Sequence, residues 1–167
     1  MIEILHVDRL LELYSYDAVS GKISNKSNGR IILPSPDELV VYCYDPVDRS
    51  RKKFLYRNLA YILGSELDIP EGFKVLSLNL NEEDIRYNNL KLISKPDYTL
   101  VRCALRNLLG GLAITQHKTD KLAYRVNWYQ FSKRKCIVCY DIARAQAILN
   151  RKSLDFSKIV NAYIRSI

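Results

Sequence analysis

Cys136 and Cys139 stand three residues apart in KRKCIVCYD, and a CxxC pair can hold zinc or shuttle between thiol and disulfide. A zinc site needs a second ligand pair at matching spacing. The chain supplies only Cys43 and Cys103, far apart, and two isolated histidines, His6 and His117. The stretch also reads as a β-strand, where residues three apart point to opposite faces. Reduced thiols packed as small hydrophobes are expected, with no metal and no cofactor. A second cluster, Glu82-Glu83-Asp84, could draw a cation. At the start of a helix, however, three acids would simply oppose the dipole and cap free amides.

The most extensive chemistry is cationic. Up to Asp97 the chain holds 13 Lys and Arg against 15 Asp and Glu, a net of −2. From Tyr98 to Ile167 the counts are 13 and 3, a net of +10, and the two halves sum to the overall +8. A polyanion is therefore the first partner to consider, bound by the C-terminal half. At 167 residues and 48% hydrophobic, the chain can bury one substantial core or two small ones, and two modules are expected. No signal-peptide pattern and no run of about 20 apolar residues is present, so a soluble cytoplasmic protein with no membrane partner is expected.

The elements that must position these groups follow from periodicity. Residues 8–14 read as a short helix, and YDAVSGKISNK as two extended pieces around a glycine turn. Residues 38–44 and 53–56 read as a second hairpin across the polar loop 45–52. Residues 58–64 read as a short apolar helix closed by Gly64, and Pro70-Glu71-Gly72 as a turn. Residues 97–108 form a linking helix with Leu100, Val101, Ala104, Leu105 and Leu108 on one face, stopped by Gly110 and Gly111. Arg102 and Arg106 fall on its other face, where they either follow a phosphate backbone or only solubilise the helix. Three strands then lead to a helix from Asp141, whose face is Ile142, Ala145, Ala147, Ile148 and Leu149. A last helix spans 154–167, with Lys158 and Arg165 exposed; its apolar stripe either finishes the core or pairs two copies, leaving monomer or homodimer open.

Strand alternation sorts the second strand of that sheet. Leu122, Tyr124, Val126 and Trp128 belong to the apolar face, and Lys121, Arg125 and Asn127 to the other, with Arg134 and Cys136 on the corresponding face of the third strand. Lys118, Lys121, Arg125, Asn127 and Arg134 together suit a duplex groove, where arginine forks onto guanine and asparagine onto adenine. Lys133 and Lys135 are the expected phosphate contacts, and Trp128 a core residue.

In KVLSLNLNEEDIRYNNLKLIS, Val75, Asn81, Arg86, Asn89, Leu90 and Leu92 keep the register of an HNH active-site segment, a strand, a polar turn and a helix. Tyr16, Asp17, Gly21, Arg57 and Pro70-Glu71-Gly72 fall at the family's outlying landmarks. Over residues 10–95 the chain thus resembles the HNH nuclease family, specifically its small phage and intron-encoded enzymes. The resemblance implies a ββα-containing domain and a viral origin. The catalytic positions depart from it: Leu76 stands for the metal-binding aspartate, Ser77 for the general-base histidine, and Tyr56 for the upstream histidine. One-metal phosphodiester hydrolysis needs an anionic ligand and a base, so a non-catalytic protein is expected.

Gly111-Leu112, the stretch from Lys121 to Val126, Cys139-Tyr140-Asp141 and the alanine-rich Ala143 to Ala147 resemble the APETALA-type, or ethylene-response-factor, DNA-binding domain. Val138-Cys139 replaces that family's leucine-glycine. The expected architecture is thus α+β: a degenerate HNH-like domain over 1–97, a linking helix over 98–110, and over 111–167 a three-stranded antiparallel sheet packed on a helix. Its expected partner is double-stranded DNA, bound by Arg102, Arg106, Lys118, Lys121, Arg125, Asn127, Lys133, Arg134 and Lys135. The alternative is a protein-binding inhibitor or adaptor that meets a host or viral protein through Tyr14, Tyr16, Tyr42, Tyr44, Tyr56, Tyr61 and Tyr87. The third reading is an active nickase that uses Glu83 and Asp84.

Overall fold

The computed structural model describes residues 7–45, 49, 51–131 and 133–164. His6, Arg165 and part of the loop 45–52 lie outside them. The fold is α+β, and the chain divides into two compact units, Met1–Leu92 and Ile93–Ile167.

The first unit begins with α1 (Val7–Leu13), followed by the antiparallel hairpin β1 (Tyr14–Asp17) and β2 (Lys22–Asn25). Asp17 folds the intervening turn: its Oδ1 accepts from the Val19 and Ser20 amides at 3.0 and 3.3 Å. Gly21 closes it at φ 71°, where a Cβ would also stand 3.1 Å from the Arg86 nitrogen. A second hairpin joins β3 (Val40–Tyr44) to β4 (Arg51–Leu55). Alternation sends Val41 and Cys43 into the core and leaves Tyr42 and Tyr44 exposed. Helix α2 (Tyr56–Ser65) buries Tyr56, Leu59, Ala60, Ile62 and Leu63 against Leu10, Ile23, Val75, Ile85 and Leu90.

Two expectations for this unit need correction. Helix α2 passes through Gly64 and ends at Ser65, capped by Glu66, which adopts φ 59° and whose amide bonds the Ile62 carbonyl. The acid-rich segment after β5 (Phe73–Ser77) does not open a helix. It forms turns and a short 3₁₀ turn, Tyr87–Asn89, before β6 (Leu90–Ser94), the partner of β5 in a two-stranded sheet. Asparagine side chains account for this. Asn79 Oδ1 accepts from the Asn81 amide at 2.9 Å, Asn81 Oδ1 from the Glu83 amide at 3.0 Å, and Asn89 Nδ2 donates to the Asp84 carbonyl at 2.7 Å. These local bonds offer the backbone an alternative to a helical ladder.

In the second unit, α3 (Lys95–Arg106) starts at Ser94, whose Oγ accepts from the Asp97 amide at 3.3 Å, with Pro96 in the first turn. A π-turn, Asn107–Gly111, ends it, with Gly110 at φ 113°. The antiparallel sheet β7-β8-β9 follows: Ala113–Gln116, Tyr124–Gln130 and Lys133–Cys139. Helix α4 runs unbroken from Ile142 to Ile164. Two separate helices were expected here, but Asn150-Arg151-Lys152-Ser153 holds no proline or glycine and offers no break.

Val126, Cys139 and Ala145 form the core between sheet and α4, with Ile114, Tyr124, Ile148 and Leu149 around them. Ile142 is half exposed and Ala147 exposed, so the buried face of α4 is narrower than its composition suggests. Leu122, expected in the apolar face, is 78% exposed in the turn before β8. Helix α3 is no free-standing link. It packs on α4 and β8 and buries Tyr98, Val101, Ala104 and Leu105, while Leu108 falls in the π-turn and is exposed. The Tyr163 hydroxyl donates to Asp97 Oδ1 at 2.8 Å, tying the end of α4 to the start of α3. Among the described residues no helix is long and apolar enough to cross a membrane.

Candidate nucleic-acid interface

Strand register defines the sheet face turned away from the apolar core. Thr115, Arg125 and Val138 lie side by side across the three strands, then Ala113, Asn127 and Cys136, then Tyr129 and Arg134 on the outer two. This face holds a shallow concave pocket of about 370 Å³. The described residues that line it include Lys118, Arg125, Arg134 and Lys135, and no carboxylate is among them. Cys136 is exposed on this face and Cys139 is buried on the other, which separates the two thiols of the CxxC pair.

Arg125 is held from one side. Its Nη2 lies 2.7 Å from His117 Nε2, while its buried Nε has no partner among the described residues. The alignment follows from the β7–β8 turn, where the His117 amide donates to the Ala123 carbonyl at 2.8 Å and sets the imidazole opposite Arg125. His117 was read from the sequence only as an isolated histidine. The short turn KTDK, which brings residue 117 beside residue 123, was the available signal. Asn127 is 5% exposed and donates to Thr115 Oγ1 at 2.9 Å and to the Arg125 carbonyl at 3.2 Å. It therefore forms the floor of the pocket and braces it.

The structure thus gathers Lys118, Arg125, Asn127 and Arg134 around one concavity, which Lys135 borders from a strand position that faces the other side of the sheet. Arg106 reaches the end of the same face, its guanidinium 3.6 Å from the ring centroid of Tyr129. Three expected contacts are not gathered. Arg102 is exposed on α3, Lys121 is exposed in the β7–β8 turn with its carbonyl taken by Gln116 Nε2 at 2.7 Å, and Lys133 is exposed at the start of β9. By register Lys133 and Lys135 pair with Gln130 and Trp128, on the helix side of the sheet. Trp128 is 9% exposed, with Lys152 Nζ 4.9 Å from its ring centroid.

The positions that match a nuclease centre do not fit a metal. Leu76 and Ser77 are buried at the end of β5, and Ser77 Oγ has no partner among the described residues. Tyr56 is buried with its hydroxyl 3.3 Å from the Ile32 carbonyl. Of the nearby acids, Glu82 pairs with Arg57 at 2.6 Å. Asp84 accepts from Arg86 Nε and Nη2 at 2.8 and 2.6 Å and from Asn79 Nδ2 at 2.7 Å. The hydrogen bonds from Arg86 are the main reason its carboxyl is held down to about 2. Among the described residues no group of three or more His, Cys, Asp or Glu is placed to hold a metal ion. No protein-family model, curated protein or solved structure matches the chain.

Proposed function

We propose that this is a phage-type double-stranded DNA-binding protein, built on an HNH-like scaffold without catalysis and acting by occupancy in transcription or another DNA transaction in the host cytoplasm. The carrying observation is the concave sheet face, whose described lining brings Lys118, Arg125 and Arg134 together with no carboxylate. Lysines and arginines there would neutralise phosphates and release counterions. Arg125 and Arg134, on neighbouring strands, would present planar forks to base edges or phosphates.

The test is duplex affinity across a salt series for the wild type and for Arg125→Glu/Arg134→Glu. A log–log slope of about −0.9 per neutralised phosphate is expected for the wild type, with affinity lost in the double variant at an unchanged melting temperature. Wild-type affinity in that variant sinks the reading. No duplex binding at low salt would sink it too, and would leave the basic half to an acidic protein partner.

A further inference from the structure

We infer that the first unit carries a separate site for single-stranded nucleic acid on the outer face of the β3–β4 hairpin. Tyr42 and Tyr44 are the aromatic residues of this face, 46% and 53% exposed, in a unit whose other tyrosines in regular elements are largely covered. Placed two apart on one strand, they point the same way, and their rings recur at roughly 6.6 Å. Duplex bases stack at about half that distance and show no open faces, so this pitch suits the unstacked bases of an extended strand.

Charge supports the same occupant. Register sets Tyr44 beside Arg51 and Tyr42 beside Lys53 on the neighbouring strand. The Arg51 guanidinium carbon lies 4.2 Å from the Tyr42 ring centroid and extends the stacking surface with a planar cation. Lys53 is ion-paired with Glu38 and is not counted. Beside the tyrosines opens a groove of about 640 Å³, bounded on its far side by the segment that carries Arg30, Ile31 and Leu33. In a half of net charge −2, Arg30 and Arg51 are the charged residues among the described ones that line this groove, and no carboxylate is among them. Ile31 and Leu33 are 48% and 76% exposed, an apolar wall against which a base or sugar can rest. Exposed aromatic faces beside phosphate-binding cations form the stacking platform that sequence-tolerant single-strand binders need.

The experiment is fluorescence anisotropy of a short labelled oligothymidylate with the full chain, in a background of Arg125→Glu/Arg134→Glu so that the sheet face of the second unit does not contribute. Tyr42→Ala/Tyr44→Ala is expected to weaken single-strand binding on the order of ten-fold or more, and Tyr42→Phe/Tyr44→Phe to retain it, because stacking needs the ring and not the hydroxyl. Arg30→Glu/Arg51→Glu is expected to weaken it as well, and to flatten its salt dependence. Photo-cross-links from an iodouracil-substituted strand are expected on the peptides that carry residues 42 and 44. Unchanged affinity in both the alanine and the charge-reversed variants, each with a wild-type melting temperature, overturns the inference. So does loss of all single-strand binding in the Arg125→Glu/Arg134→Glu background. Duplex binding by the wild type, read in parallel, reports on the sheet face of the second unit alone, so failure of one site is distinguishable from failure of the other.

Discussion

Asn107 pairs with the backbone of Tyr129 as a neighbouring strand would. Its Oδ1 accepts from the Tyr129 amide at 2.7 Å, and its Nδ2 donates to the Tyr129 carbonyl at 2.8 Å. Strand β7 begins at Ala113, in register with Asn127, so beyond that point β8 has no strand on this side. The π-turn after α3 brings in a side-chain amide to complete the ladder, and the same Nδ2 also bonds the Cys103 carbonyl at 2.9 Å. Asn107 is 1% exposed, so water does not substitute for it.

Replacing Asn107 by Ala leaves the Tyr129 amide without a partner in a dry site and removes one of two donors from the Tyr129 and Cys103 carbonyls, which keep the Cys103 thiol and the residue-107 amide. The expected loss of stability is roughly 2–4 kcal/mol, read from urea denaturation. Asn107→Asp is expected to cost at least as much, because a buried carboxylate would face two carbonyl oxygens where the amide donated. A loss below about 0.5 kcal/mol for either variant would show that the clamp contributes little.

Gly64 sets helix propensity against packing. Gly to Ala inside a helix normally gains up to about 1 kcal/mol. Here the added Cβ would stand 2.5 Å from Tyr87 Cδ2 and 2.9 Å from Tyr16 Cε1. Tyr87 stacks on Tyr61 with centroids 6.1 Å apart, and the Tyr16 hydroxyl bonds the Ile85 carbonyl, so neither ring can move without losing a contact. Overpacking is expected to win, and Gly64→Ala should lower stability by roughly 1–3 kcal/mol in thermal melts. A raised melting temperature would mean that the two rings move aside cheaply.

This conflict also shows how far the chain could be read in advance. The hairpins around Gly21 and across 45–52, and the alternation that buries Val126 and exposes Arg125, were legible because period two and turn chemistry are local signals. Gly64 was misread as a helix stop because its real constraint is two tyrosine rings, one 48 residues earlier and one 23 later. The acid-rich turn was misread because side-chain bonds between Asn79 and Asn89 cross ten residues and leave no periodic trace. At the candidate interface the cations were visible as composition. Which of them share a concavity depends on strand register, and the fixing of Arg125 by His117 depends on a turn geometry that charge counting does not contain.

Asp84 gives the first unit an acid limit. Its side chain is 11% exposed and its carboxyl is held at about 2, against an ordinary 3.8, chiefly by hydrogen bonds from Arg86. A depressed folded value means that the carboxylate stabilises the fold fully above about pH 4, and that this contribution is lost as pH falls from 3.8 through 2. After allowance for solvent around Arg86, the contribution is about 1–2 kcal/mol. Denaturation midpoints taken between pH 5 and pH 2 should fall in the wild type and fall less steeply in Asp84→Asn. Parallel acid profiles for the two proteins would assign the limit to other carboxyls.

His117 offers a subtler probe of the sheet face than charge reversal, because it leaves every cation in place. On the proposal that this face holds duplex DNA, the imidazole acts by positioning Arg125 through the 2.7 Å contact with its Nη2. His117→Ala removes that support, and Arg125 must then be ordered at the moment of binding. Loss of one such hydrogen bond amounts to about 0.5–1.5 kcal/mol, an expected fall in duplex affinity of roughly two- to twelve-fold. The salt slope should stay as in the wild type, because the number of phosphate-facing cations is unchanged. His117→Gln, whose side-chain oxygen can accept from a guanidinium, should recover part of the loss. A change of slope in His117→Ala would mean that a phosphate contact itself had gone, and equal affinities for all three proteins would show that Arg125 needs no such support.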